Sequence, residues 1–443
     1  MQTKYLIIGN SAGGIGAAEA IREVDKIGCL TIVSDETYPA YSRPLISKYL
    51  TKERTVDGML FRSSEFYSLN NITSVLGNKV KTLGLESHTA ELDGGEKILW
   101  HKLLLATGGV PIVPEIGATD RNGVFHFVSL DDAKAIDEFI DSGNKAVVIG
   151  GGLIGISVAE ALKKRGVEVT IVEMKERILN TILDEVASSF AERALEKAGV
   201  EVITGHTVVQ TMGEPVIEAA LLEDGQRIPC DLVVVAIGVL SRIELVQNTE
   251  IEVNRGILVD RHMSTNYPGV YCCGDAAEAF DFIYEANRVT PIWPNAYIGG
   301  RVAGFNMAGV RIEYPGGTAV NSLNYFGLDI ASAGLVSPPA EGGYEVISGQ
   351  SDDSYRKVVL KDGLLVGMVC VGDVSKSGIV FGLMRDRVRV EGFKRALLAE
   401  DFGLISLPRE VWHRLLETQP SRLAPQTAAE KALPARSYLG LEG

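Results

Sequence analysis

Two glycine-punctuated sets of residues in this 443-residue chain are spaced to seat a diphosphate. Gly9, Ser11, Ala12 and Gly14 form the first, and Gly150, Gly152, Leu153, Ile154 and Gly155 the second. Such a turn needs a first glycine for the sharp bend and a small residue where the ligand comes close. A last glycine stands where helix and strand touch. The helix that follows offers free backbone N–H groups and its positive dipole end to an anion. Ser11 stands where the second glycine is expected, and serine is small enough to keep the approach open. Each set is followed, about twenty residues on, by an apolar run that ends in acid: Asp35 and Glu36, then Glu173. A carboxylate there accepts hydrogen bonds from ribose hydroxyls, and the register leaves Asp35 and Glu36 both open. Glu173 would also repel a 2′-phosphate, which favours NAD(H) over NADP(H) despite Lys175 and Arg177 nearby. Two such turns imply two dinucleotides meeting face to face, as a flavin and a nicotinamide must to exchange a hydride.

A rival chemistry fits the same residues. Gly9, Ser11 and Gly13 match the G-x-S-x-G elbow that exposes a nucleophilic serine between strand and helix. An elbow sits deep in its sheet order, with an earlier strand and loop supplying the oxyanion hole. Here the strand is the first of the chain and a second dinucleotide turn follows, so the nucleotide reading is favoured.

These turns must be held by alternating strands and helices. Residues 5–9 and 29–33 read as strands around an Ala-rich helix, and residues 146–150 and 168–172 repeat the arrangement. A strand from Lys102 ends in Ala106, Thr107 and Gly108, and another ends in Ala236 and Gly238. A strand from Gly269 to Asp275 precedes a helical pattern from Tyr297 to Ala308. From Gly316 the composition changes to glycine hairpins and alternating strands, with a hairpin turn at Asp362 and Gly363. Helical patterning follows over 379–400, and from Gln419 a Pro- and Ala-rich tail. The expected fold is α/β, with two interleaved Rossmann-like units and a C-terminal α+β interface domain. The expected boundaries are 1–120 with 246–315, 121–245, 316–407, and 408–443 for a helix and extended arm.

The formal charge of −14 argues against nucleic acid or an anionic membrane surface as partner. No apolar run is long enough to cross a bilayer. With residues 5–9 already a strand, no signal peptide is expected. The five cysteines form no CxxC and no metal-ligand spacing, and the six histidines are isolated. A cytoplasmic, reduced chain without its own metal follows.

Taken together, these motifs resemble the two-dinucleotide flavoprotein reductases, related to glutathione reductase and to rubredoxin and ferredoxin reductases. The resemblance covers roughly residues 1–310 and implies FAD on the first unit and NAD(P)H on the inserted second. Ala106, Thr107 and Gly108 resemble the first ATG turn, and Ala236, Ile237 and Gly238 its partner. Gly274 and Asp275 resemble the segment whose aspartate binds the ribityl chain, where a plain helix cap is the rival reading. The stretch from Tyr41 through Arg43 and Pro44 to Lys48 resembles the loop along the flavin. It implies that Arg43 contacts the adenine–pyrophosphate side and that Lys48 sits near the reactive ring nitrogen. An unpaired ammonium there would stabilise the anionic reduced flavin; the rival is a solvated lysine.

Two departures stand out. Residues 41–50 hold no cysteine, so a C-x4-C redox disulfide is missing. Cys272 and Cys273 point to opposite faces of a strand and read as packing residues. Ser157 occupies the position where many relatives have a glutamate near the nicotinamide, and Glu160, one turn on, is expected to face outward. Residues 316–407, through Asn321 to Leu328 and Tyr355 to Gly367, resemble the interface domain of the disulfide-free branch. This combination is most similar to FAD subunits that couple iron–sulfur aldehyde or phenylglyoxylate oxidoreductases to NAD. It implies an iron–sulfur, ferredoxin-like partner, in a hetero-complex or homo-oligomer. A run of Arg385, Arg387, Arg389, Lys394 and Arg395 would dock an acidic partner or form a solvated face. Rivals are a stand-alone NADH:rubredoxin or ferredoxin reductase, an NADH oxidase, and a flavin-bearing scaffold with a vestigial nicotinamide site.

Overall fold

The computed structural model describes residues 1–117, 122–141, 143–399 and 402–416. Its first sheet has seven strands and grows from the first βαβ unit. Strand Gln2–Ile8 lies between Leu30–Ser34 and Lys97–Leu105, all parallel, with Ile7 opposite both Ile32 and Leu104. The short strand Val270–Cys272 adds beyond Lys97–Leu105, so the segment ahead of Asp275 returns to the first turn. These central strands are apolar and buried on both faces, as a covered parallel sheet requires.

Helix Ala12–Val24 and helix Trp293–Met307 cross at backbone distance. A Cβ on Gly300 would stand 2.0 Å from the Gly13 oxygen, and one on Gly304 would stand 2.4 Å from the Ala17 oxygen. The glycine-rich faces therefore serve packing as well as ligand approach.

The second unit is a five-stranded parallel sheet in the order Glu201–Thr204, Glu168–Glu173, Lys145–Ile149, Leu232–Val235 and Val124–His126. It joins the first through an antiparallel ribbon, Gly109–Pro111 against Val239–Ser241. Arg242 ties this seam down: its N–H donates to the Gly108 oxygen, its own oxygen accepts from Thr107 Oγ1, and its guanidinium meets Asp35 at 2.7 Å.

The C-terminal sheet is antiparallel, with five strands in the order Val320–Tyr325, Leu328–Gly334, Leu364–Val371, Tyr355–Lys361 and Tyr344–Gln350. Its side chains alternate as a two-faced sheet must. Ile330, Tyr355, Val369 and Val371 join the core of the second unit, while Ala331, Val358, Met368 and Cys370 lie under helix Ser377–Arg385. Lys357, buried on the inner face, meets Asp184 at 2.7 Å, and Tyr355 Oη donates to the same carboxylate. Asp184 caps helix Glu185–Lys197 through the Ala187 N–H. Burial works to raise the Asp184 pKa, but Lys357, the cap and Tyr355 together hold it below the ordinary carboxylate value.

The hairpin at Asp362 and Gly363 is present, both residues having positive φ. The helical stretch expected over 379–400 is interrupted: helix Ser377–Arg385 stops, Arg387 turns left-handed at φ 50°, and Lys394–Leu398 forms a short 3-10 turn. Helix Arg409–Leu416 begins the last expected segment, and the tail from Gln419 lies outside the described residues.

Candidate functional site

At the first turn, Gly9 has φ 121°, and a Cβ there would lie 2.0 Å from the Ala106 oxygen. A Cβ on Gly14 would lie 2.0 Å from the Gly9 oxygen. These two glycines are required by the protein's own backbone. Ser11 is the N-cap of helix Ala12–Val24 and makes no side-chain cap bond, so the helix start keeps free N–H groups. A pocket opens beside it, lined by Asn10, Ser11, Ser34, Glu36, Tyr38 and Arg43, among others.

The two candidate acids part here. Glu36 faces this pocket and pairs with Arg43 at 2.6 Å, whereas Asp35 is exposed and turned to Arg242. Arg43 also donates to the Val128 oxygen of the second unit, and Pro44 is the second residue of the short 3-10 turn Arg43–Leu45. Asp275 stands in the turn Gly274–Ala276, where Gly274 has φ 72° and the Asp275 oxygen accepts from Ser241 at 2.6 Å. Burial raises the Asp275 carboxyl above its ordinary value and the Arg43 charge pulls it back. Asp275, more than two hundred residues from Arg43 in the chain, thus lies near enough to feel its charge, while Arg43 and the first turn line one pocket. Gly108, at φ 73°, has nothing within 4 Å of a built Cβ.

The second turn repeats the logic. Gly150 has φ 106° with a Cβ position 2.5 Å from the Ala236 oxygen, and a Cβ on Gly155 would stand 1.8 Å from the Gly150 oxygen. Gly152, the N-cap of helix Leu153–Lys164, differs: its φ is −81° and a Cβ there meets nothing within 4 Å. Backbone sterics do not demand glycine at this position, and the space it leaves is where a ligand would approach. Leu153 and Ile154 open the helix, half-buried, with no side chain capping it. Glu173 is buried, its two carboxylate oxygens accepting from the Gly151 N–H at 2.7 Å and the Lys175 N–H at 2.8 Å. It shapes the turn as well as facing it. Gly238, at φ 122°, starts the ribbon and accepts from the Ile112 N–H.

One expectation is corrected, and two groups of charges gain partners that the sequence did not show. Glu160 does not face outward: its side chain is 11% exposed, and it accepts from the Phe326 N–H at 3.1 Å. The C-terminal sheet covers this face of helix Leu153–Lys164, which sequence could not foresee. Lys48, on helix Ile46–Leu50, is not unpaired: it meets Glu53 at 3.1 Å, and Glu53 also meets Lys164 at 3.1 Å. Lys48 and then Lys164 hold the Glu53 carboxyl below its ordinary value. The basic run is neutralised within the chain at several points. Arg385 pairs with Asp386, Arg387 with Glu285, and Lys394 with Glu345 and Glu391.

All five cysteines are free. Burial pushes Cys230 and Cys273 up to about 12 and Cys370 up to about 11, and Cys272 well above its ordinary value. Only Cys29 is exposed. Sequence reasoning missed Glu53, Arg242 and Tyr325, whose roles depend on partners far away in the chain. Tyr325 Oη bonds the Leu153 oxygen at 3.3 Å, a contact across 172 residues that carries no local signal.

Comparison with known proteins agrees with this geometry. Residues 3–299 match the model of the pyridine nucleotide-disulphide oxidoreductases, and residues 320–388 match the rubredoxin NAD+ reductase C-terminal domain. The chain is 34% identical over 411 residues to the NADH-dependent phenylglyoxylate dehydrogenase subunit epsilon of Aromatoleum evansii, covering 91% of this chain and 96% of that one. It is 29% identical over 377 residues to the NADH-rubredoxin oxidoreductase of Clostridium acetobutylicum, covering 84% and 92%. The crystal structure of a covalent putidaredoxin reductase–putidaredoxin complex superposes with TM-score 0.83 at 25% identity, over 94% of this chain and 99% of that one. The paired turns, the returning aspartate segment and these matches agree: the chain belongs to the pyridine nucleotide-disulphide oxidoreductase family.

Proposed function

We propose that this chain is an FAD-dependent NAD(H) oxidoreductase that couples NAD(H) to an iron–sulfur protein, as the electron-transfer subunit of a larger oxidoreductase. The observation that carries this reading is the pair of uncapped helix starts, at Ser11 and Gly152, each behind a sterically locked glycine turn. The residues fit the two cofactors. Ala12 and Gly14 with Ser11 would take the FAD diphosphate, Glu36 the adenosine ribose, Arg43 the pyrophosphate side and Asp275 the ribityl chain. Gly152, Leu153 and Ile154 would take the NAD(H) diphosphate, and Glu173 its ribose. Bound FAD accepts a hydride and can return the two electrons singly.

The residues around it bind and orient. Lys48, held by Glu53, would carry its ammonium to the flavin edge. The thiols do not serve as electron carriers in this reading, because four are buried with raised pKa values and Cys29 lies beside Lys4 and Tyr5, at the opposite end of the strand from the Gly9 turn. No helix among the described residues is long and apolar enough to cross a membrane, and a cytoplasmic location is part of the proposal. The subunit role is supported by the relative from Aromatoleum evansii, whose length is nearly all matched. The match over 320–388 and the Clostridium relative favour a second reading, a stand-alone NADH:rubredoxin-type reductase.

Anaerobic purification tests the proposal. The chain should be yellow, bleach with NADH and pass electrons to an added ferredoxin-type protein. A colourless chain releasing no adenine compound on denaturation overturns it. Co-purification with iron–sulfur subunits favours the complex, and full turnover by the isolated chain favours the stand-alone enzyme.

A further inference from the structure

Helix Leu153–Lys164 carries a row of residues at i, i+4, i+7 and i+11: Leu153, Ser157, Glu160 and Lys164. That spacing is one helix face. Other parts of the chain grip this face at both ends. Glu53, just after the helix that bears Lys48, holds Lys164. The Tyr325–Phe326 turn of the C-terminal sheet holds the rest, through Tyr325 Oη on the Leu153 oxygen and the Phe326 N–H on Glu160.

The turn itself is unusual. Tyr325 pairs with Leu328 across a two-residue loop in which Phe326 has φ 51° and Gly327 has φ 79°. Positive φ at both positions is the type I′ hairpin, which favours Asn-Gly or Asp-Gly. A bulky aromatic at the first position is locally strained and persists where its surroundings fix it. Here Phe326 packs against the core of the second unit while its N–H binds Glu160. The strain buys a contact that a relaxed Asn-Gly turn would not supply.

We infer that Tyr325 orients and polarises the Leu153–Ile154 peptide so that the Ile154 N–H receives the dinucleotide's diphosphate. This rests on the assignment of the second turn to NAD(H). A peptide group is planar, and its C=O and N–H point in opposite directions along a helix. A donor on the Leu153 oxygen therefore fixes the direction of the Ile154 N–H, one of the groups left free at the helix start. It also strengthens that N–H as a donor, because hydrogen bonds in series polarise one another. Ser157, on the same helix face, works against the effect of burial on the Tyr325 phenol. Burial raises the Tyr325 phenol to about 12, so it remains a donor across the working pH range. The C-terminal sheet thereby supplies a positioning residue to the nicotinamide site.

The test is Tyr325→Phe in the full-length holoprotein, with NAD+ binding to the oxidised form measured by calorimetry. Loss of one hydrogen bond in series should weaken NAD+ by about threefold to tenfold. The KM for NADH should rise by a similar factor, while FAD content and thermal midpoint stay unchanged. A role in packing alone predicts that Phe behaves as wild type and only Tyr325→Ala is impaired; that result overturns the inference. Glu173→Gln separates the possibilities further. If it weakens NAD+ while Tyr325→Phe does not, the peptide-orienting role is wrong and the nicotinamide assignment stands. If neither variant changes affinity, the assignment fails and the inference falls with it.

Discussion

Gly152→Ala separates a glycine kept for the fold from one kept for a ligand. In the free protein, a methyl at this position meets no atom within 4 Å, and φ −81° suits alanine. Alanine is a poorer N-cap than glycine by about 0.5–1 kcal/mol, and the stiffer unfolded chain returns about 0.4–1 kcal/mol. Stability should therefore stay within about 0.5 kcal/mol of wild type. The ligand meets a different situation. A phosphate oxygen bonded to a backbone N–H lies about 2.9 Å from the nitrogen, and the added methyl reaches into that layer. Displacing it forfeits one charge-assisted hydrogen bond, about 1.5–3 kcal/mol, or roughly 10- to 150-fold in affinity. Gly155→Ala is the contrasting variant, because its Cβ would lie 1.8 Å from the Gly150 oxygen and the turn itself must open. The assay compares thermal midpoint, FAD content and NAD+ affinity in the three holoproteins. Gly152→Ala should keep the first two and lose the third, and Gly155→Ala should lose stability as well. Wild-type NAD+ affinity in Gly152→Ala would refute the placement of the diphosphate at this helix start.

Other perturbations address the surroundings of the site. Glu53→Gln frees Lys48 and Lys164 from their shared carboxylate. Stability should fall by less than about 1 kcal/mol, because these side chains are exposed, while the flavin midpoint potential, followed spectrally, should rise as a negative charge leaves. An unchanged or lowered potential would count against Lys48 beside the flavin. Lys357→Met leaves Asp184 inside the interface without its cation and should cost about 3 kcal/mol in denaturant unfolding. The folded Asp184 pKa lies below its unfolded value, so its stabilisation is present above about pH 4 and disappears as pH falls through the folded value. Wild type should show that acid loss, and Lys357→Met, left with only the cap and Tyr355, should show less of it. Iodoacetamide should label Cys29 alone in the native protein and leave NADH-dependent flavin reduction intact. Rapid inactivation would point to a thiol step.

The two nucleotide turns were legible because their requirements are local: a bend at Gly9, close packing at Gly14, and the same at Gly150 and Gly155. The hairpin at Asp362 and Gly363 was legible for the same reason, since its residues are those the turn favours. Phe326 and Gly327 form a turn of the same type, yet phenylalanine conceals it. Glu160 illustrates a different obstacle. Its helix is readable, but its exposure depends on a sheet that begins 160 residues later. Charges are hardest of all. Neither the Lys48–Glu53–Lys164 series nor the neutralised basic run is visible without knowing which side chains meet.

Val239 lies opposite Pro111, and Ser241 opposite Gly109, so the chain leaves the first unit and returns to it side by side. Covalently, everything between those strands is attached as narrowly as a hairpin loop, although its core is shared with the C-terminal sheet. The insert is thus a cassette, exchangeable at one seam without rerouting the host. A graft made there must still offer a carbonyl to Tyr325 and a carboxylate to the Phe326 amide, or the new module will be tethered but left misaligned with its host.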